Sequence, residues 1–182
     1  YAGMGWLDRR DLMRWISLII GSDADARILL QGKSMGAAAV MMTVGEPDLP
    51  RNVVAAVEDC GYASVVQQFI DCARSMFHLP KFLAKPIVTT MGAIAQRRAG
   101  YGFQEASCVE QLKHATIPML FIHGGADDFV PSRALDENFD ACASIDRQKL
   151  LIPSAGHSMS ASTAPVVYWK TVTNFVTRVF GL

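Results

Sequence analysis

The sequence predicts an α/β fold, a mostly parallel β-sheet with helices on both faces, and three observations carry that prediction. Short runs that are apolar throughout, rather than at alternate positions, recur as "RILLQG", "NVVAAVED", "IPMLFIHGG" and "KLLIPSAG". Strands buried on both faces read this way, whereas a strand with one wet face alternates. Segments of helical spacing lie before, between and after these runs, which is the alternation of a parallel sheet. With 182 residues, 51% of them apolar and 19% charged, the chain has material for one domain with a sizeable core.

Each element has its own justification. Residues 7–20, "LDRRDLMRWISLII", put Leu12, Ile16, Ile19 and Ile20 on one helical face with acids early, and Gly21 is expected to stop the helix. "RILLQG" is too short for a helix and is bounded by "GSDADA" and Gly32, so it reads as a buried strand. The Ala and Met run from Ser34 to Val44 makes a tightly packed helix closed near Gly45 and Pro47. "NVVAAVED" is the second strand, and "IPMLFIHGG" the third, with Pro118 at its mouth where a missing donor is tolerated. "SRALDENFDACAS" is helical, "KLLIPSAG" is the fourth strand, and from Pro165 a closing helix sets Trp169, Val172, Phe175, Val176 and Val179 on one apolar face.

Residues 63–116 break the rhythm. They are helical, rich in Phe and Met, and interrupted by Pro80, Pro86 and Gly100, so they read as an insert over the strand ends, with Phe69, Ile70, Met76, Phe77, Phe82 and Leu83 expected in the core. There is no internal repeat.

Composition limits the classes of function. Lys plus Arg and Asp plus Glu number 17 each, and no basic run exceeds Arg9-Arg10 or Arg97-Arg98, so there is no electrostatic footprint for nucleic acid or an anionic membrane. Cys60, Cys72, Cys108 and Cys142 are widely spaced, without a CxxC pair or zinc-site clustering, and read as buried free thiols. No segment has the length and apolarity of a membrane span, and the first residues lack a signal-peptide layout.

"GKS" at Gly32-Lys33-Ser34 invites comparison with a phosphate-binding loop. That loop needs a glycine five residues before the Gly-Lys pair, and the position holds Arg27. The alternative is G-x-S-x-G, Gly32 to Gly36, a serine on a sharp strand-to-helix turn with small residues two before and two after it. Such a turn aims the Met35 N–H, at a helix N-terminus, toward a developing oxyanion.

A serine hydroxyl needs a base to take its proton, and the base needs an orienting carboxylate. At the ends of later strands stand Asp127 and Asp128 in "HGGADDFVP", then His157 in "SAGHSMS". Of four histidines, His78 lies in the insert, His114 at a polar helix end and His123 at a strand end, leaving His157 in the expected slot. His123-Gly124-Gly125 follows the nucleophile, the wrong place for an oxyanion loop; its glycines are expected to permit the turn that carries the acid. The residues leave Asp127 and Asp128 as equal candidates.

The chain resembles the α/β-hydrolase superfamily over nearly its entire length, and within it bacterial serine hydrolases that carry "GW.DR.D...WI", "G.SMGA..VMM", "DC.Y.S", "P.LFIHG..D.FVP" and "GH..S". Here these are Gly5 to Asp11, Gly32 to Met42, Asp59 to Ser64, Pro118 to Pro131, and Gly156-His157. The resemblance implies Ser34 as nucleophile, His157 as general base and Asp127, three residues before Val130, as the orienting acid. It implies an esterase, less readily an amidase or peptidase, working through an acyl-enzyme on a small ester or acyl substrate, with no metal or organic cofactor. An acyltransferase with the same triad, or a non-catalytic binding module of this fold, is the alternative.

Family members have earlier strands and an oxyanion loop, often an His-Gly pair, upstream of the helix with which this sequence opens. The expectation is therefore a C-terminal part of a longer α/β-hydrolase domain, lacking its N-terminal strands and its second oxyanion donor. Such a loss costs about 2.7–4 kcal/mol of transition-state stabilisation. Full-length members often carry an N-terminal membrane anchor or export signal, so localisation is open between cytoplasmic and, where a missing N-terminal segment carries a signal, membrane-anchored or exported; oligomeric state is open too.

Overall fold

The computed structural model describes residues 2–182. Strands β1 (Ile28–Lys33), β2 (Val53–Asp59), β3 (Met119–Gly124) and β4 (Arg147–Ile152) form one sheet in the order β1-β2-β3-β4, with every neighbouring pair parallel. Order in space follows order in sequence. All four strands therefore deliver their C-terminal loops to the same edge of the sheet, which is what can gather residues from distant parts of the chain.

Among the described residues there are eight helices: α1 (Asp8–Ser22), α2 (Met35–Val44), α3 (Val65–Phe77), α4 (Lys81–Ala99), α5 (Cys108–Leu112), α6 (Arg133–Ala141), α7 (Ser160–Thr163) and α8 (Pro165–Phe180). Strand alternation assigns them to two faces. Ala56, Met119 and Phe121 face a large core with Val40 and Met41 of α2 and Leu135 of α6, while Ala55, Val57, Leu120 and Ile122 face Tyr168, Val172 and Phe175 of α8. The continuous apolar runs are thus strands with a core on each side. Arg27, where a phosphate loop would need glycine, donates to the carbonyls of Val179 and Phe180 and caps the end of α8.

Ser64 and Ser107 close the base of the segment between β2 and β3 through an isolated bridge, and α3 and α4 pack as a pair within it. Phe69 and Ile70 join the core as expected. Met76, Phe77, Phe82 and Leu83 do not: they are exposed, Met76 and Phe77 at the end of α3 beyond its buried Val65, Gln68 and Ile70, and Phe82 and Leu83 on α4, whose buried face is the Ala84, Val88 and Gly92 stripe. Small residues there bring α4 close to its support, and its large side chains point outward.

Three smaller expectations are corrected. Helix α1 runs through Gly21 and ends at Ser22, where the N–H of Asp23 still reaches the Ile19 carbonyl; a glycine in a last turn costs only about 1 kcal/mol. In α8 the buried positions are Tyr168, Val172 and Phe175, while Trp169 is exposed, since one residue of rotation carries it off the stripe. Strand β4 starts at Arg147 rather than Lys149 and lies at the sheet edge, half exposed, with Lys149 paired to Asp136 on α6. A charged edge of this kind resists pairing with other chains. Three of the four cysteines are buried and free as expected, and Cys72 is half-buried.

Along the other edge, an apolar groove of about 510 Å³ runs between α1 and β1, lined by Leu12, Trp15, Ile19 and Leu29 among others. No helix is long and apolar enough to cross a membrane among the described residues.

The two-faced core makes a measurable prediction. Phe175→Ala empties a site that is 1% exposed and should lower unfolding free energy by about 3–5 kcal/mol in urea titrations. Phe82→Ala, at a position 74% exposed, should change it by no more than about 0.5 kcal/mol. A reversal of that ranking would overturn the assignment of faces.

Candidate active site

Strand β1 ends at Lys33 and α2 begins at Met35, so Ser34 alone makes the turn between them. It does so at φ 56° and ψ −120°, a conformation that costs a non-glycine residue about 1–3 kcal/mol. Neighbours hold it there: the Ser34 N–H donates to the Asp59 carbonyl at 2.8 Å, and its own carbonyl accepts from the Ala38 N–H at 3.1 Å. The first glycine of the pentapeptide is obligatory, because a Cβ on Gly32 would stand 2.2 Å from the Gly36 carbonyl oxygen. The second is not required by these contacts, since a Cβ on Gly36 meets nothing within 4 Å. No residues are left between strand and helix for a phosphate-binding loop.

Asp127 is buried in the loop after β3. Its Oδ1 accepts from the N–H groups of Phe129 and Val130 at 3.0 and 2.8 Å, and its Oδ2 accepts from His157 Nδ1 at 2.8 Å. Burial by itself would raise this carboxyl. The hydrogen bonds from His123, His157 and the two backbone N–H groups outweigh it and hold the group below its ordinary value, so Asp127 is ionised at neutral pH.

An ionised carboxylate only accepts, so the His157 proton sits on Nδ1 and Nε2 is free to accept. Ser34 Oγ lies 2.8 Å from that Nε2. The three residues that sequence reasoning put at three strand ends are therefore joined in one hydrogen-bonded chain. Asp128 is exposed and outside it, as are His78, which ends α3 in a left-handed conformation, and His114.

Gly124 and Gly125 lead into the turn that carries Asp127 and allow a close approach of backbone there. A Cβ on Gly124 would lie 2.3 Å from the Ala155 carbonyl oxygen, and one on Gly125 2.7 Å from that of Pro153. They let the loop after β4 settle on the loop after β3, where the Gly125 N–H donates to Ile152 at 2.8 Å and the Ala126 N–H to Ala155 at 3.0 Å. Phe129 then places its ring 5.0 Å from the His157 ring. Lys33, for which the motif has no use, reaches toward the Ser158 carbonyl at 3.5 Å.

Sequence reasoning gave no role to Cys60 or His123. Cys60 Sγ lies under the site, 3.4 Å from Ser158 Oγ, and burial pushes the thiol up to about 11, so it is not a thiolate. With Asp127 and His157 it offers three donor atoms within 4.8 Å of one another, a set that suits zinc by chemistry. By geometry it does not, because Asp127 and His157 stand 2.8 Å apart, inside the separation of about 3.3 Å that bonds of 2.0–2.1 Å impose on a tetrahedral ion. This spacing suits a shared proton. His123, at the end of β3, has its Nε2 3.0 Å from the Val130 carbonyl and 3.4 Å from Asp127 Oδ2.

No family model matches the chain. A Bacillus subtilis protein described as uncharacterized protein YqkD is 23% identical over 173 residues, 94% of this chain and 55% of the relative, so the chain spans about half that protein's length. Among solved structures, the Pyrococcus furiosus esterase Pf2001 aligns over 98% of this chain and 65% of its own, with TM-score 0.72 and 19% identity. The Pyrococcus horikoshii acylaminoacyl peptidase aligns over 97% and 28%, with TM-score 0.71 and 14% identity. A Mycobacterium tuberculosis protein described as a non-heme bromoperoxidase, BpoC, aligns over 94% and 74%, with TM-score 0.60 and 19% identity. Named for different reactions, these proteins agree in architecture. What they share with one another, and over nearly its whole length with this chain, is the α/β-hydrolase fold.

Proposed function

We propose that the chain carries the catalytic residues of a serine hydrolase that cleaves a carboxylic ester through an acyl-enzyme. The observation that supports this reading is the hydrogen-bonded chain Ser34 Oγ to His157 Nε2 and His157 Nδ1 to Asp127 Oδ2, 2.8 Å at each link. In the first step Ser34 Oγ bonds to the substrate carbonyl carbon while its proton passes to His157 Nε2. The tetrahedral oxyanion takes a hydrogen bond from the Met35 N–H, one of the unpaired donors of the first turn of α2. Collapse breaks the bond to the alcohol, which leaves with the proton from His157. Water then repeats the sequence on the acyl-enzyme, with His157 again as base, and releases the acid. Asp127 keeps the imidazole in the tautomer that accepts from serine and stabilises the imidazolium.

The exposed apolar side chains nearest these residues in sequence, Met35, Phe129 and Met159, favour an apolar acyl group, with segment 63–116 as a further wall. The reading retains the expectation of a second oxyanion donor from a loop upstream of α1. Amide cleavage, which the peptidase neighbour performs by its name, uses the same residues and needs a better-protonated leaving nitrogen.

Three outcomes test it. A fluorophosphonate probe should label the full-length wild-type protein at Ser34 and leave Ser34→Ala unlabelled; a full-length wild type that neither labels nor turns over p-nitrophenyl esters of graded chain length would sink the proposal. Asp127→Asn should lower kcat by about 10⁴-fold, and Asp128→Asn by less than about threefold, which separates the two neighbouring acids by kinetics.

The low-pH behaviour follows from Asp127. A carboxyl held below its unfolded value contributes stability that is complete above about pH 3.9 and is lost as pH falls through the folded value. Urea midpoints measured from pH 6 to pH 3 should therefore fall less steeply in Asp127→Asn than in wild type.

A further inference from the structure

Beneath the proposed catalytic chain lies a second set of buried polar groups that the mechanism does not use. Strand alternation puts Glu58 of β2 and His123 of β3 on one face of the sheet, the face of Ala56 and Phe121. Both are wholly buried, as is Asn138 on α6. Glu58 Oε2 accepts from the Gly61 N–H at 3.0 Å, and Asn138 Nδ2 donates to the Gly61 carbonyl at 3.3 Å, so the two side chains grip one residue from opposite sides. Each is left with a second polar atom that has no partner. Glu58 Oε1, Asn138 Oδ1 and His123 Nδ1 are three of the five buried side-chain atoms in that condition among the described residues.

Buried polar groups are rarely left unpaired, and at each of the three burial is not compensated by a direct protein bond. The tautomer of His123 follows from its other nitrogen. The Val130 carbonyl can only accept, so Nε2 carries a proton, and that nitrogen also lies 3.4 Å from Asp127 Oδ2.

We propose that the buried pair His123 and Glu58 is a positioning device, His123 for Asp127 and Glu58 for the turn under Ser34. Its reach to Asp127 is direct, through Nε2–H. Its reach to Ser34 runs through the 58–61 turn: Glu58 pins Gly61, and the Asp59 carbonyl inside that turn accepts from the Ser34 N–H. The proposal rests on the serine-hydrolase reading for its consequence and on geometry alone for its existence. Burial, opposed by the Gly61 hydrogen bond, raises the Glu58 carboxyl to about 8, so it is protonated at neutral pH. The groups with titratable protons that face Glu58 are His123, Asp59 and Cys108; those that face Asp127 are His123, His157 and Cys60.

The test uses His123→Phe, which removes both nitrogens, and His123→Gln, whose amide can restore the donor at the position of Nε2. Without that donor the full charge of Asp127 falls on His157. The ring titration of His157, followed by ¹⁵N NMR, should move up by about half a pH unit or more in His123→Phe and return toward wild type in His123→Gln. Turnover of a p-nitrophenyl ester should show kcat reduced about ten- to a hundredfold in His123→Phe with KM within about threefold, and partial rescue in His123→Gln. Glu58→Gln gives a readout free of catalysis. A carboxyl raised in the fold contributes stability that is complete below its unfolded value near pH 4.3 and fades as pH rises through about 8. The urea midpoint of wild type should therefore fall from pH 6 to pH 9, and that of Glu58→Gln should fall less.

An unmoved His157 titration in His123→Phe, or equal losses in the Phe and Gln variants, would overturn the positioning role. A moved titration in a protein that neither labels nor turns over would leave the positioning role standing and reject the hydrolase reading.

Discussion

The contact on which the site depends is the approach of Gly32 to the Gly36 carbonyl, where an added Cβ would be 2.2 Å from oxygen. It lets strand run into helix across one residue, and it forces that residue into a left-handed conformation. The cost, about 1–3 kcal/mol, is offset by packing that Ser34 does not itself make. Helix α2 is nearly all buried, from Ala37 and Ala38 to Val44, and is fixed by the core against β1 and β2. The serine is thus held by two elements that are stable for other reasons. The hydroxyl stands at the start of α2, where N–H groups lack intrahelical partners.

A second close approach completes the geometry. Gly124 and Gly125 admit the loop after β4 onto the loop after β3, and the backbone bonds across that contact place His157 over Asp127. Neither loop need be flexible or strained for this, apart from Ser158 at φ 62°. The parallel order of strands supplies the coarse convergence and the glycines supply the last ångströms. Stability and chemistry are consequently divided between layers. The two cores carry the sheet, and the residues at its C-terminal edge are free to be polar because the sheet does not rely on them.

Much of this was legible in the sequence, for identifiable reasons. Strands buried on both faces leave continuous apolar runs, and a parallel sheet puts all their following loops on one side, so Ser34, Asp127 and His157 could be placed together without coordinates. The choice of Asp127 over Asp128 rested on resemblance, because their distinction is one of burial and backbone donors that composition does not encode. Rotation about a helix axis was less legible. Phe82 and Leu83 are apolar yet exposed because Ala84, Val88 and Gly92 bring the backbone of α4 to the core, a preference for small residues that looks like no signal at all. Glu58 and His123 were illegible for the opposite reason: polar residues inside apolar runs read as interruptions until strand alternation shows that both enter the same buried core face.

Asp127 shows why position matters more here than charge. Burial disfavours its ionised form, and two backbone donors on Oδ1, with His157 and His123 on Oδ2, reverse that preference. The two N–H groups come from Phe129 and Val130, in a loop whose own carbonyl at Val130 orients His123, so the loop that ionises the acid also orders one of its partners. Val130 is buried and Gln68 of α3 donates to the Phe129 carbonyl at 2.9 Å, which ties the loop to the helices between β2 and β3. Moved one residue along, the same carboxylate would face solvent, lose both N–H donors and stand away from the imidazole, as Asp128 does. The ionised, buried, hydrogen-bonded acid is therefore a product of the 123–130 loop, and its chemistry follows from how that loop is packed.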